Sequence, residues 1–205
     1  MELQDAFSLS DHIQNLDYLY SQVLEKAKQL PENVPFLEIG TRAGGSALAF
    51  LFAIRESGKK KRPLFTVDPY GNKPYLRGSE VLDMDYGERF YRTAMRYLSQ
   101  FCFDNRLCHQ HWRLTSTDYM AMRDGISMWY GGELVQNVYS FIYLDGDHEE
   151  KTIATELSYF YPRLCDGGLI VIDDSEHILQ SQHPTIRQFI EQSTANGNRL
   201  YVEKC

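Results

Sequence analysis

Three carboxylates and one histidine stand where this chain could do chemistry. Asp145 and His148 lie in Asp145-Gly-Asp-His148, directly after the β-branched and aromatic run Val138-Tyr-Ser-Phe-Ile-Tyr-Leu144. Asp173 and Asp174 close the unbroken apolar run Leu169-Ile-Val-Ile172. Carboxylates gathered without a cation repel one another and are driven to protonate, and a divalent ion removes that conflict. All-oxygen ligation suits Mg²⁺, Mn²⁺ or Ca²⁺ better than zinc. Neighbouring residues of a strand point to opposite faces, so Asp173 and Asp174 can share one ion only if the strand has ended there. The polar run Asp-Asp-Ser-Glu-His says that it has. The other reading of these acids is as solvated loop ends, one of them capping a helix.

A second constellation opens earlier, in Phe36-Leu-Glu-Ile-Gly-Thr-Arg-Ala-Gly-Gly-Ser46. A short apolar run stops at a glycine-rich turn and passes straight into the helical run 46–56. Gly40 and Gly44 carry no Cβ, so backbone can approach a ligand, and the first N–H groups of the next helix open into the same space. Glu38 lies two residues before Gly40, and three residues separate the glycines, which is not the Gly-x-Gly-x-x-Gly dinucleotide spacing. The plainer reading is a packing turn. Asp68 closes the next apolar run, Pro63-Leu-Phe-Thr-Val67, at the place where nucleotide-binding folds use a carboxylate to accept from both ribose hydroxyls. It could equally cap the turn before Pro69. His109 and His111 fall on one face of the alternating run 106–112; a His-x-His pair can ligate a metal, but no third nitrogen or sulfur ligand stands nearby, and ordinary histidines are the simpler reading.

The elements that must position these groups follow from periodicity. Apolar residues at three-and-four spacing predict a helix from Ser10, its N-cap, to Leu30, stopped by Pro31. Lys59-Lys-Lys-Arg62 reads as a solvated basic end favouring the C-terminus of the preceding helix. Residues 70–86, rich in Gly, Pro, Asn and Asp, read as a long loop and a lid. A helix is expected over 88–101, a helical patch after Thr115-Ser-Thr-Asp118, a loop over 124–132, and a helix over 149–164. Pro184 starts a last helix to about Gln192, Asn196-Gly197 caps it, and 199–203 can form an edge strand. Strands alternating with helices argue for an open, mostly parallel sheet covered on both sides. Ligands bind beyond the carboxyl ends of such strands. Gly40 and Gly44, Asp68, Asp145 with His148, and Asp173 with Asp174 all lie there.

Bulk properties narrow the partner. With 205 residues, 43% hydrophobic and 24% charged, the chain is sized for one domain with a sizeable core. Its formal charge of −7 argues against a nucleic acid backbone and for a small molecule. The start, MELQDAFSLSDHIQ, has no signal-peptide core, and the longest apolar run, 47–54, is too short for a membrane span, so a cytoplasmic protein is expected. Four cysteines without paired spacing read as reduced bystanders.

Together these segments resemble the metal-dependent class I S-adenosylmethionine-dependent O-methyltransferases, a group that includes the macrocin type and, more distantly, the catechol type. The likeness runs from Phe36 to Asp174. It implies a Rossmann-like, doubly wound, mostly parallel seven-stranded α/β sheet in a single domain, with 1–33 as a helical extension. Glu38, Gly40, Thr41, Gly44 and Ser46 are similar to the cofactor loop, and Asp68 to the ribose site. Asp145, Asp173 and Asp174 correspond to ligands of a metal, expected to be Mg²⁺, with Asp145 also near the cofactor, and His148 corresponds to the general base. The catechol enzymes carry lysine and asparagine where this chain has His148 and Asp174, so the likeness leans to the sugar-modifying branch. The reaction that the resemblance implies is direct displacement: a hydroxyl of a sugar or phenolic small molecule, made more acidic by coordinating the metal, would yield its proton to His148 and attack the sulfonium methyl. Trp112 and the 115–118 turn lie near where adenine is expected. Tyr70, Tyr75, Tyr86, Trp112 and Trp129 could line an acceptor pocket, and the N-terminal helix could pair two subunits.

Two other readings stay open. A nicotinamide-dependent oxidoreductase on the same kind of sheet explains the glycines and Asp68 but leaves Asp145, Asp173 and Asp174 without a role. A non-catalytic nucleotide-binding protein of the same fold would bind cofactor without turnover.

Overall fold

A computed structural model describes residues 2–9, 16–71, 75–77, 80–83, 86–130, 132–176, 178–197 and 199–204. Seven strands form one sheet in the order β10-β11-β9-β8-β1-β2-β5: β1 (Phe36–Ile39), β2 (Pro63–Val67), β5 (Cys108–Trp112), β8 (Tyr139–Leu144), β9 (Leu164–Ile172), β10 (Ser193–Asn196) and β11 (Arg199–Glu203). The five strands from β9 to β5 run parallel, and β11 runs antiparallel to both β9 and β10. Every residue of β1, β2 and β8 is buried, as expected for parallel strands covered on both faces. Alternate residues of one strand feed two cores. Phe36, Phe141 and Val171 pack beneath α1 (Leu3–Leu9), α2 (Leu16–Gln29), α3 (Gly45–Glu56) and α4 (Tyr86–Asn105), while Leu37, Ile142 and Ile170 pack beneath α5 (Ser116–Gly125), α6 (Glu150–Phe160) and α7 (Pro184–Ile190). The order reverses between β1 and β8, and that switch point is where an open sheet of this kind takes its ligand.

Several boundaries differ from the sequence reading. A further helix, α1, precedes the one expected from Ser10 to Leu30, of which α2 (Leu16–Gln29) is the described part; the Ser10 N-cap lies outside the described residues. The 70–86 segment holds a small hairpin, β3 (Tyr75–Arg77) with β4 (Glu80–Asp83). The 124–132 segment enters a second, β6 (Met128–Tyr130) with β7 (Glu133–Val135), in which Trp129 opposes Leu134. The helix expected to reach residue 164 stops at Phe160, and Leu164 already belongs to β9. Asn196-Gly197 leads into the turn of the β10–β11 hairpin, with Gly197 at φ +61°, so β11 is an inner strand flanked on both sides. Arg62 is not solvated. Its guanidinium is wholly buried and donates to the carbonyls of Leu30 (2.7 Å) and Val34 (2.7 Å) and to Ser140 Oγ (2.6 Å), while Lys59 Nζ donates to Leu30 O at 2.6 Å. These cations close the C-terminus of α2, not of the helix that precedes them in sequence. Among the described residues no helix is long and apolar enough to cross a membrane.

Candidate active site

The strand tips are tied into a row. Asp68 N–H donates to Trp112 O, Gly40 N–H to Val67 O, Asp145 N–H to Ile39 O, and Asp173 N–H to Leu144 O, at 2.8–3.1 Å. Each strand thus pairs one residue beyond its end, which brings the carboxylates of β2, β8 and β9 to one edge. The glycines of the first turn are demanded by the protein's own backbone. A Cβ on Gly40 would lie 1.9 Å from the Asp145 carbonyl oxygen, and one on Gly44 3.2 Å from Ala94 Cα on α4; both have φ near +90°. Asp68 holds the turn between them. Its Oδ2 accepts from the N–H groups of Thr41 and Arg42, and its Oδ1 from that of Tyr70, all at 3.0 Å. Tyr70 OH donates to Arg42 O at 2.6 Å, so this aromatic is a strut for the turn.

A cleft opens beside that turn, lined by Gly40, Thr41, Arg42, Ser46, Tyr143, Asp145 and Asp173, with Leu9 of α1 and Leu16 of α2 on its rim. Glu38 is buried at its back and accepts from Ser46 Oγ at 2.5 Å; its other oxygen has no hydrogen-bond partner, and burial pushes its pKa up to about 8. Burial, then the charge of Asp173, also raises Asp145 well above the ordinary carboxylate range. The Asp145 side chain still keeps 31% exposure, and His148 Nε2 stands 3.9 Å from its Oδ1. Asp174 has φ +45°, so the strand has ended at this point.

The arrangement around Asp173 was not visible in the sequence. Arg199 Nε lies 3.0 Å from Asp173 Oδ1 and its Nη2 3.4 Å from Oδ2, with side chains only 1% and 2% exposed. Tyr143 OH donates to the same Oδ2 at 2.5 Å and receives Arg199 Nε at 3.4 Å. Leu200 pairs with Ile172, which sets Arg199, one residue before it, beside Asp173.

Residues 37–175 match the model of the methyltransferase-domain family, more than half of the chain. The chain belongs to this family. Solved structures with the same fold include the calicheamicin methyltransferase CalS11 (15% identity, 95% of this chain and 80% of that one, TM-score 0.65). Others are TomG from Streptomyces achromogenes, an O-methyltransferase of tomaymycin synthesis in complex with S-adenosylmethionine (16%, 99% and 89%, 0.60), and the Bacillus cereus O-methyltransferase in complex with S-adenosylhomocysteine (14%, 98% and 90%, 0.59). Among curated proteins, none matches the sequence. The fold is that of the class I S-adenosylmethionine-dependent methyltransferases.

The methyltransferase gathers Gly40, Thr41, Ser46, Asp145 and Asp173 around one cleft. Gly44 and Asp68 shape its turn from behind. Trp112 packs into the α5–α7 core with its indole N–H buried and without a hydrogen-bond partner, and Trp129 is 68% exposed on a hairpin at the opposite ends of the strands from the acids. The side chains of Tyr75 and Tyr86 lie outside the described residues. A divalent ion fits this donor set poorly. Asp173 Oδ2 already accepts from Tyr143 OH and Arg199 Nη2, Oδ1 has no hydrogen bond but faces Arg199 Nε at 3.0 Å, and a dication drawn onto either oxygen would come within a few ångströms of the Arg199 guanidinium. At an effective dielectric of about 20, unit charges ~4 Å apart repel by about 4 kcal/mol, and a dication by about twice that. Among the described residues no group of three or more His, Cys, Asp or Glu is disposed to hold a metal.

Proposed function

We propose that the protein moves the methyl group of S-adenosylmethionine to a hydroxyl of a small molecule, with His148 as the proton acceptor. One observation carries this reading: a glycine turn backed by Glu38 opens on a cleft walled by Asp145 and Asp173, a set of carboxyl groups that a donor carrying a sulfonium and an ammonium charge would draw towards their ionised form. In the step itself the acceptor oxygen forms a bond to the methyl carbon as the carbon–sulfur bond breaks. The electron pair stays on sulfur, giving S-adenosylhomocysteine, and the hydroxyl proton passes to the imidazole. The chain contributes chiefly position, holding oxygen and methyl in line. His148 is half-buried with its Nε2 3.9 Å from Asp145, a residue that lines the cleft, which supports its assignment as the proton acceptor.

A sugar or phenolic acceptor is the substrate class that we favour, because a solved structure of this fold is CalS11, described as a TDP-rhamnose 3'-O-methyltransferase. The divalent ion implied by the family resemblance has no part in this step, since Asp173 is held by Arg199. We place the protein in the cytoplasm as a single methyltransferase domain acting on small molecules, without nucleic acid or membrane partners; pairing through the N-terminal helices belongs to the same reading.

Calorimetric titration with S-adenosylmethionine, S-adenosylhomocysteine and NAD⁺ tests it. The two sulfur compounds should bind and NAD⁺ should not; saturable binding of NAD⁺ alone would replace this reading with the oxidoreductase. Once an acceptor is in hand, His148→Ala should lower methyl transfer by roughly 10²- to 10⁴-fold while donor affinity stays unchanged.

A further inference from the structure

Strand tips that gather Asp68, Asp145, Asp173 and Asp174, with Glu38 buried within β1, call for positive charge, and the chain itself places one there. Arg199 enters from β11 with its guanidinium against both oxygens of Asp173 and with Tyr143 OH closing the triangle. The strand that carries it is flanked by β10 and β9, and its backbone is registered on both sides, Asn196 opposite Arg199 and Ile172 opposite Leu200. The side chain is therefore anchored in the sheet, 1% exposed, beside a carboxylate that is 2% exposed. A guanidinium stays charged at any physiological pH and its planar fork matches a carboxylate, so the pair is a permanent fixture of the pocket wall.

We propose that Arg199 supplies, from within the chain, the cation that the clustered carboxylates require, and that this protein takes no divalent metal at the Asp145–Asp173–Asp174 tips. The proposal rests on the methyltransferase reading for the identity of the pocket but not for its test. Arg199 is a positioning residue: through Asp173 and Tyr143 it holds an ionised carboxylate at the wall of the cleft and leaves Asp145 as the acid open to ligand.

Mn²⁺ and Mg²⁺ are the probes. The wild-type protein should show no saturable heat with either ion at millimolar concentration, and the EPR signal of Mn²⁺ should stay that of the free ion. Arg199→Gln removes the fixed charge and should gain Mn²⁺ binding by at least tenfold, with a rise in melting temperature on adding the ion; Asp173→Asn in the same chain should abolish both. Arg199→Lys keeps a cation and should remain without metal. Saturable Mn²⁺ or Mg²⁺ binding by the wild type that disappears in Asp173→Asn overturns the proposal, and this arm needs no Arg199 variant to fold. A folded Arg199→Gln that still takes no Mn²⁺ overturns it as well, since Arg199 would then not be what stands in the ion's place. S-adenosylmethionine titrated into the same wild-type sample keeps the two readings apart: failure of donor binding removes the proposed function and leaves the metal result standing.

Discussion

The two sides of the sheet bury polar groups in opposite ways. On β2 and β5, Thr66 Oγ1 lies 2.9 Å from His109 Nε2 and 2.9 Å from His111 Nδ1, and burial pushes the two rings down to about 3 and about 4. A hydroxyl has one proton and two lone pairs, so it can donate to one neutral imidazole and accept from the other. On β9 and β11, Asp173 and Arg199 are buried as a charged pair, with Tyr143 OH completing the shell. The first solution removes charge by shifting titration; the second keeps charge and matches it. Only the second stands at the cleft, where a cationic donor needs an ionised wall.

Breaking the charged side should have the larger effect. Asp173→Leu leaves Arg199 buried without its counter-charge, and losing one partner of a buried pair costs about 3–5 kcal/mol. Arg199→Met should cost as much by stranding Asp173. The double variant Asp173→Leu with Arg199→Met removes both charges and should recover most of that loss, because apolar replacement of a whole buried pair is close to neutral. Urea unfolding of the four proteins measures the cycle; additive losses in the double variant would mean that the two residues are not coupled.

The neutral side should respond to acid. A histidine whose folded pKa lies below its unfolded value gives stability that is present above the unfolded pKa, near 6.5, and is lost as pH falls toward the folded value, because the unfolded chain then binds more protons. For His109 and His111 the window runs from about 6.5 down to about 3–4. The loss between pH 7 and pH 5 is on the order of 2 kcal/mol for each ring, about 4 kcal/mol for the pair. Glu38, and Glu156, pushed by burial up to about 7, run the other way, since an acid raised by folding destabilises as pH rises. The histidine part is therefore the pH dependence of the difference in stability between wild type and His109→Asn/His111→Asn. A difference that stays flat from pH 7 to pH 5 would mean that the rings are charged in the folded protein.

What could be read from sequence was what depends on near neighbours along the chain. Apolar runs 63–67, 138–144 and 169–172 had to be strands, and acids directly after them had to stand at strand tips, so Asp68, Asp145 and Asp173 were placed without a structure. Glycine at 40 and 44 was noticed, but its cause was not, because the atoms that forbid a Cβ there belong to Asp145 and to α4. Arg62 was assigned to the wrong helix for the same reason: its acceptors lie about thirty residues upstream. Arg199 was read as the first residue of an edge strand. Only the antiparallel insertion of β11 beside β9 sets it against Asp173, and nothing in Arg-Leu-Tyr-Val-Glu203 announces that register. The one local hint was a charged residue leading an otherwise apolar strand. The β6–β7 hairpin and the strand β10 were missed because Met-Trp-Tyr130, Glu-Leu-Val135 and Ser-Thr-Ala-Asn196 are runs of only three or four residues, too short to show an alternating pattern.

The smallest expected effect links the cleft to protons. Glu38, with one oxygen on Ser46 and the other without a hydrogen bond, is largely protonated at pH 7 because burial raises its pKa to about 8. A sulfonium and an ammonium brought into the cleft favour the carboxylate form, so donor binding should drive a proton off this side chain. Affinity for S-adenosylmethionine should then rise with pH between about 6 and 8, by up to about tenfold for each unit in which the proton must be released. Calorimetry in buffers of different ionisation enthalpy should register the release of a fraction of one proton near pH 7. Glu38→Gln keeps the hydrogen bond from Ser46 Oγ and cannot ionise, so it should lose the pH dependence while retaining S-adenosylhomocysteine binding. Proton release undiminished in Glu38→Gln would move the titrating group to Asp145, the other cleft carboxyl held above its ordinary range.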